Sequence, residues 1–226
     1  VGIEASCCGG IPVVAAIERG LIANRIDALY GVVNGTCNYI LTAMLDRRSL
    51  FEGALADAQR LGYAEADPTF DVEGIDAAHK LTILASLAFG IPLQFDRCYT
   101  EGISKIEPQD VTYAEQFGYR IKHLGYTRRT GAGIEMRVHP TLIPERRLIA
   151  NVDGVMNAVL VHGDAVGPTL YYGAGAGSLP TASAVVADII DELGEHYANA
   201  IAYDNRVGDM AIRAGYRELY RSLKGL

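Results

Sequence analysis

Apolar residues recur along this chain with two periods, about two and about 3.6 residues, which are typical of strands and helices respectively. Alternating or β-branched segments predict strands near residues 1–7, 25–33, 102–106, 119–128, 134–141, 155–162 and 169–172. Helical spacing predicts helices near residues 12–21, 36–46, 49–61, 76–89, 108–117, 181–193 and 206–223. Turns near 130–133 and 163–164 join the last four strands into two hairpins, so the strands fit a mixed sheet.

Several helix ends carry recognisable signals. Pro12 suits the first position of its helix, and Ser49 with Glu52 has the spacing of a capping box. Gly62 and Gly90 are predicted to stop the helices that precede them. The sequence therefore predicts a helix that delivers the chain directly into the polar segment after residue 62.

Residues 62–80 hold five carboxylates and one lysine, and they pass from a polar, turn-rich loop into an apolar helix. The predicted helical stripe of Ile83, Leu84 and Leu87, projected back by one and two turns, carries Lys80 and Asp76. These two residues are four apart and therefore share one face of the helix. We expect that face to point inward.

An inward lysine is costly unless it is paired, so one interpretation is a buried structural ion pair or a lysine whose stem lies along apolar surface. The other interpretation is a site, because Glu65, Asp67 and Asp71 can converge on the helix N-terminus, where the dipole favours anions. One ammonium facing several carboxylates could hold a small zwitterionic substrate. Lys80 would then exchange protons with a substrate oxygen.

Composition limits the function classes. The chain has 226 residues, half of them hydrophobic, which suffices for one large or two small domains. A net charge of −7 argues against nucleic acid as a partner, and no apolar run is long enough to cross a membrane. Residues 1–16 have no basic segment typical of a signal peptide. The four cysteines fit no zinc pattern, which favours buried thiols in a cytoplasmic protein.

The run GYAEADPTFDVEGIDAAHKL at 62–81 resembles the signature of the homoserine dehydrogenases. Segments in family order extend the resemblance over most of residues 1–193: EASCCGGIP at 4–12, NGTCNYIL at 34–41, RVHPTLIP at 137–144, NAV at 157–159 and YGAGAGSLPTASAVVADI at 172–189. The long run is specific, whereas the glycine-rich segments alone are weak signals. The resemblance implies an α/β (α+β-like) domain, a mixed sheet with helices packed on one face.

The resemblance also implies an activity, the NAD(P)-dependent interconversion of L-homoserine and L-aspartate 4-semialdehyde in threonine, methionine and isoleucine biosynthesis. Lys80 would be the acid or base for the substrate oxygen, and Asp76 would orient it. Glu65 would bind the substrate amine, with Tyr63 and Asp71 lining the site.

Three glycine-containing turns would complete the site. Gly35 and Thr36 would face the substrate or the nicotinamide, and Gly177 and Gly175 would contact the cofactor. In the family the turn near residue 9 binds sodium or potassium. That monovalent cation would be held by Glu4 and by the backbone carbonyls of Cys7, Gly9 and Ile11. From the residues alone, an ordinary turn or junction is the more common explanation for the segments near residues 9 and 35, and it explains the segment at 173–177 equally well.

The family begins with a Rossmann nucleotide-binding half, whose GxGxxG is absent at the head of this sequence. We therefore expect this chain to be a piece of a longer protein and to be inactive alone. Its sequence does not indicate whether NAD or NADP is preferred, because the residues that contact the ribose would lie in the Rossmann half. Its predicted organisation is a catalytic and dimerisation domain at 1–178, a helix at 179–194 for the Rossmann half, and a tail at 195–226. The sheet would form a homodimer interface.

Two other functions stay open from the residues. One is an aspartate-semialdehyde dehydrogenase or a similar thiol-dependent oxidoreductase, with Cys7 or Cys37 as nucleophile. Such chemistry needs a thiol of lowered pKa and a nearby base, and no histidine is placed by motif for that role. The other is a non-enzymatic dimerisation module whose ion pairs are structural.

Overall fold

The structure is a computed structural model that describes residues 2–201, with 193–201 described as helical backbone only. Val1 and the helix predicted for 206–223 lie outside these residues. In the described part, no helix is long and apolar enough to cross a membrane.

A six-stranded mixed sheet forms the centre of the fold, in the order β2-β4-β3-β1-β5-β6. β2 pairs with β4 in parallel, and every other pair in the sheet is antiparallel. The strands are β1 Ile26–Val32, β2 Tyr99–Thr100, β3 Tyr119–Thr130, β4 Gly133–Pro144, β5 Met156–Gly163 and β6 Gly167–Ala174. The two predicted hairpins, β3–β4 and β5–β6, are confirmed and are longer than the sequence pattern indicated.

The helices are α1 Val13–Ala15, α2 Gly35–Arg47, α3 Phe51–Arg60, α4 Thr69–Val72, α5 Ile75–Phe89, α6 Pro108–Gln116 and α7 Ser178–Ile201. A π-helical turn, Ala16–Gly20, continues α1, and short 3₁₀ turns occupy Glu4–Ser6, Phe95–Arg97 and Leu148–Asn151. These bounds confirm the helices predicted for 12–21, 36–46, 76–89 and 108–117 to within a few residues. α7 begins three residues earlier than predicted and runs beyond residue 193.

The main core lies between α5 and one face of the sheet. Leu81 and Leu84 of α5 are fully buried, in one cluster with Leu29 of β1, Val138 of β4 and Val159 of β5. Burying each such leucine contributes about 1.5–3 kcal/mol relative to an exposed side chain. The packing fixes α5 across the sheet and so fixes where its first turn lies.

The opposite face of the sheet is more open. Tyr30 is paired in register with Tyr126 of β3 and Leu160 of β5, and all three side chains are only partly buried. The 3₁₀ turn Leu148–Asn151 covers one part of this face, where Ile149 packs near Leu160. The fold is therefore the α/β arrangement that was expected, with the described helices concentrated on one face.

Three local predictions were wrong. Residues 4–6 form a 3₁₀ turn and not a strand, because Ser6 donates its N–H back to Ile3 at 3.0 Å. The segment after β2 is not a strand either, since the Ile103 N–H donates to the Val72 carbonyl at 2.8 Å and pulls the chain away from β4. The capping box at 49–52 does not form, because α3 begins after Leu50, which has no side-chain cap.

Candidate active site

Lys80 and Asp76 form an ion pair on the first turns of α5. The helix begins after Gly74, whose φ of 82° is easily reached only by glycine, and Asp76 lies in the first turn, where the helix dipole favours a carboxylate. Lys80 Nζ donates to Asp76 Oδ2 at 2.8 Å and to the Val33 carbonyl at 3.2 Å. The predicted pair is therefore present and is also tied to the end of β1.

The pair lies at the edge of the buried face of α5 rather than inside it. The Lys80 and Asp76 side chains are 21% and 20% exposed, whereas Ala77, Leu81 and Leu84 are fully or almost fully buried. The predicted stripe was rotated, because Ile83 and Leu87 are only partly buried. The Lys80 side chain is thus only partly removed from solvent, which reduces the desolvation cost of its charge.

Asn34 joins this pair to a second carboxylate. The residue caps the N-terminus of α2, where its Oδ1 accepts the Cys37 N–H at 2.8 Å. Its Nδ2 donates to Asp71 Oδ1 at 2.7 Å and to Asp76 Oδ2 at 2.8 Å. Two carboxylates from α4 and α5 thus meet at one buried amide, beside the lysine.

The loop before α4 is held against α2. The Thr36 hydroxyl donates to the Tyr63 carbonyl at 2.6 Å, and the Tyr63 ring lies 5.1 Å from that of Tyr39. The Cys37 thiol contacts the carbonyl of Asp71 at 3.2 Å. The start of α2 therefore fixes both ends of this loop, and the Tyr63 side chain is left 42% exposed.

Only part of the expected carboxylate cluster meets at the helix. Glu65 is exposed, and among the described residues its side chain makes no hydrogen bond to the cluster. Asp67 is also exposed, and hydrogen bonds from the Thr69 hydroxyl and from the Thr69 N–H, the latter at 3.1 Å, lower its pKa. The carboxylates that come together are Asp71 and Asp76, with Glu65 at the solvent side of the loop.

The glycine-rich segment before α7 packs against the turn near residue 9. The Gly10 N–H donates to the Ala174 carbonyl at 3.0 Å, and a Cβ built on Gly9 would lie 2.6 Å from the Gly175 carbonyl oxygen. Gly177 has a φ of 125°, and residues 176–179 are exposed at the start of α7. The two glycine turns thus touch backbone to backbone, with an accessible helix N-terminus beside them.

Glu4 is almost fully buried, and both of its carboxylate oxygens are occupied. They accept the N–H groups of Val14 and Ala15 at 2.9 and 2.7 Å, so the side chain caps α1. Burial raises the pKa of Glu4, and these two hydrogen bonds oppose that shift. No group of three or more metal-binding side chains occurs in the described part of the chain.

The thiols near the site are buried, in surroundings that disfavour the thiolate form. Burial raises the pKa of Cys7 to about 11 and that of Cys8 to about 12, although the neighbouring Lys80 acts in the opposite direction. Cys37 is fully buried, and its pKa is raised well above the usual value. A nucleophilic cysteine needs a lowered thiol pKa and access, so these environments disfavour a thiol-dependent reaction.

The sequence pattern does not predict that Asn34 lies at the centre of the cluster. Asn34 was interpreted only as part of a turn, although Asn-Gly-Thr at the start of a helix is a recognisable N-cap. The Val33 carbonyl was missed as well, since backbone groups leave no sequence signal. The local sequence indicates the cap, but the partners of the Asn34 amide come from two later helices.

Comparisons with known proteins agree on one family. The family model described as homoserine dehydrogenase matches residues 12–190. Curated homoserine dehydrogenases of Pseudomonas aeruginosa and Neisseria gonorrhoeae are 70% and 65% identical over 191 residues, which is 84% of this chain and 44% of each relative. The chain thus spans less than half the length of these relatives.

Solved structures give the same result. The homoserine dehydrogenase of Thiobacillus denitrificans superposes with a TM-score of 0.86 and 67% identity, covering 90% of this chain and 47% of that one. A hyperthermophilic archaeal homoserine dehydrogenase in complex with NADPH superposes with a TM-score of 0.69 and 27% identity, covering 83% of this chain and 53% of that one.

Proposed function

The chain belongs to the homoserine dehydrogenase family, and we propose that the full-length protein interconverts L-homoserine and L-aspartate 4-semialdehyde with NAD(P). The observation that carries this proposal is the accessible ion pair of Lys80 and Asp76 within the family's characteristic run. A purely structural pair needs no access to solvent, whereas a proton-transfer group does.

Lys80 is the proposed acid and base. When bound, the nicotinamide cofactor supplies or accepts the hydride. Lys80 as an ammonium gives its proton to the aldehyde oxygen during reduction, and as a neutral amine it takes the hydroxyl proton during oxidation. An ammonium has three N–H groups, and contacts with Asp76 and Val33 use two of them. The third is available for the substrate oxygen.

The loop before α4 supplies the proposed substrate contacts. Glu65 is exposed and free to pair with the substrate ammonium, and on the same segment Tyr63 is exposed and Asp71 is partly buried. Gly35 and Thr36 contribute differently. A Cβ on Gly35 would lie 2.9 Å from the Val155 carbonyl, so only glycine fits, and the Thr36 hydroxyl is engaged in holding Tyr63. We propose that these two residues shape the site through the backbone.

The glycine turn before α7 fits a dinucleotide. Residues 176–179 expose the first backbone N–H groups of a long helix, which is a favourable place for phosphate. Gly177 and Gly175 would hold the cofactor here, because residues without side chains allow close approach of the backbone. The relative solved with NADPH supports the use of a nicotinamide cofactor. The preference for NAD or NADP depends on the residues that contact the ribose of the cofactor.

We also propose a sodium or potassium ion at the turn near residue 9. Its ligands would be Glu4 and the carbonyl oxygens of Cys7, Gly9 and Ile11. Oxygen ligands suit a hard cation, and each carboxylate oxygen of Glu4 keeps a lone pair after accepting one backbone N–H. The site would depend on carbonyl oxygens, since Glu4 is already committed to the α1 amides.

The open sheet face is the proposed homodimer interface. The rings of Tyr30 and Tyr126 pack with centroids 5.2 Å apart and planes tilted by 35°, and Arg128 lies over the Tyr126 ring at 5.4 Å. Together with His139 and Thr141 they line a shallow depression of about 440 Å³. Aromatic and arginine side chains are enriched in protein interfaces, which supports a second copy as the occupant. We further propose a cytoplasmic enzyme of threonine, methionine and isoleucine biosynthesis.

The direct test is an assay of the full-length gene product with L-homoserine and either NAD⁺ or NADP⁺, followed by cofactor absorbance. We expect homoserine-dependent reduction of the cofactor. L-Serine, one methylene shorter, and 4-hydroxybutyrate, which lacks the amine, serve as matched controls and should react far more slowly. A folded protein that binds the cofactor but leaves it unreduced with L-homoserine would contradict the proposed function.

A further inference from the structure

The side chain of Asn34 occupies the junction of three helices that build the site. It is 4% exposed, and its carbonyl oxygen is committed to the Cys37 N–H at the start of α2. This bond fixes which way the amide points, so that its Nδ2 faces Asp71 of α4 and Asp76 of α5. All of the polar atoms of this side chain are therefore in use.

The two N–H groups of this amide each satisfy one carboxylate. Asp71 and Asp76 are both carboxylates that meet at this amide, and like charges placed close together repel one another. The amide lies between them and donates one N–H to an oxygen of each carboxylate, at 2.7 and 2.8 Å. Asp76 Oδ2 then accepts from Asn34 and Lys80 at once. The position of the ammonium thus depends on the same oxygen that the amide holds.

We propose that Asn34 is a positioning residue for the reaction, acting on Lys80 through Asp76 and on the substrate side through Asp71. The inference rests on the proposed function and deepens it. A residue that merely capped α2 would need the carbonyl oxygen alone, and serine or aspartate would serve equally well. The second half of the amide, which reaches both carboxylates, is what a simple cap lacks.

Two substitutions separate the cap from the positioning role. Asn34→Ser keeps an acceptor for the Cys37 N–H but cannot reach the two carboxylates. Asn34→Asp keeps the shape and the cap, removes the donor, and adds a third carboxylate beside Lys80. Asn38→Ser is the matched control, because Asn38 is a buried asparagine one turn later in α2 that donates to the carbonyls of Val152 and Met156 and contacts neither carboxylate.

The readouts are kcat, KM for L-homoserine, the melting temperature and the pH profile of homoserine oxidation in the full-length enzyme. We expect Asn34→Ser to lower kcat by about 100-fold, the order of effect of a misplaced catalytic group. In Asn34→Asp the rising limb of the profile should move to higher pH, since an added carboxylate favours the ammonium form of Lys80. Neither substitution alters the other titratable groups around the cluster, which are Glu4, Cys7, Cys8, Cys37, Glu73 and His123.

The outcomes are distinct. A large loss of kcat in Asn34→Ser, with Asn38→Ser retaining the wild-type kcat and pH profile, supports the inference. If Asn34→Asp fails to fold, Asn34→Ser decides alone. An active wild-type enzyme whose Asn34→Ser variant keeps the same kcat and pH profile overturns the inference and leaves the proposed function intact. A wild-type enzyme without homoserine turnover overturns both.

Discussion

Gly175 has no room for a side chain, and Gly175→Ala is the substitution whose cost can be worked out most directly. A Cβ at this position would lie 1.5 Å from Asn157 Oδ1 and 2.1 Å from Asn157 Cγ. Asn157 is 2% exposed, and its Nδ2 donates to the Val32 carbonyl at 3.0 Å. The added methyl group must therefore displace a buried side chain that is already anchored to β1.

Two terms set the expected loss of stability. Forcing an extra methyl group into a packed site costs about 1–3 kcal/mol. Moving Asn157 away from the Val32 carbonyl leaves a buried acceptor without a partner, which costs about 1–3 kcal/mol more. Allowing for partial relaxation, we expect about 2–4 kcal/mol in total, or a melting temperature lower by about 4–16 °C for a domain of this size.

The assay is thermal denaturation of the full-length protein, with Gly131→Ala as the matched control. Gly131 lies in the exposed β3–β4 turn, and nothing is within 4 Å of the Cβ that alanine would add. Gly175→Ala should also raise KM for the cofactor, because its loop is the proposed dinucleotide contact. An Asn157→Ala background removes the two closest contacts and leaves only the Cβ of residue 157, at 2.9 Å, so the effect of Gly175→Ala should shrink. Equal melting temperatures for Gly175→Ala and Gly131→Ala, within about 2 °C, would refute the reasoning.

Two further predictions concern pH and assembly. His123 hydrogen-bonds the Glu101 carbonyl through Nε2, and its Nδ1 has no partner among the described residues. Burial lowers its pKa, so the stability that the neutral ring contributes is complete above about pH 6.5 and is lost as the pH falls through the folded-state pKa. Urea denaturation at a series of pH values should therefore show a steeper acid loss for wild type than for His123→Gln, and parallel curves would contradict this. For assembly, Tyr126→Glu should convert a dimer to a monomer in sedimentation velocity, with Tyr113→Glu on α6 as the control. An unchanged dimer would exclude the open sheet face.

Much of the fold follows from local patterns. The alternation at 119–128 and 134–141 is strong enough to place β3 and β4, and glycine at 62 and 90 marks helix ends correctly. The failures have a different origin. The segment at 102–106 has the composition of a strand, but a backbone hydrogen bond from Ile103 to Val72 determines its path. Such long-range contacts leave no periodic signal.

The predictions for the candidate site also differ according to whether they depend on local spacing or on long-range packing. Spacing alone places Asp76 and Lys80 on one helix face, and the ion pair confirms it. The burial of Lys80 is harder to predict from the sequence, because α5 contacts the sheet through Leu81 and Leu84 and so turns Lys80 toward the edge. Asn34 could be identified as a cap, whereas its contacts with two carboxylates depend on how α4 and α5 pack against α2.

The most direct measurement of the central claim is kcat for homoserine oxidation by the full-length Lys80→Met variant, compared with wild type. Methionine keeps the length and the apolar packing of the stem but can neither give nor take a proton. We expect kcat to fall by about 10²–10⁴-fold, which is the usual contribution of a general acid or base. Circular dichroism should show that the fold is intact. A folded variant with kcat close to that of wild type would remove Lys80 from the reaction and contradict the account.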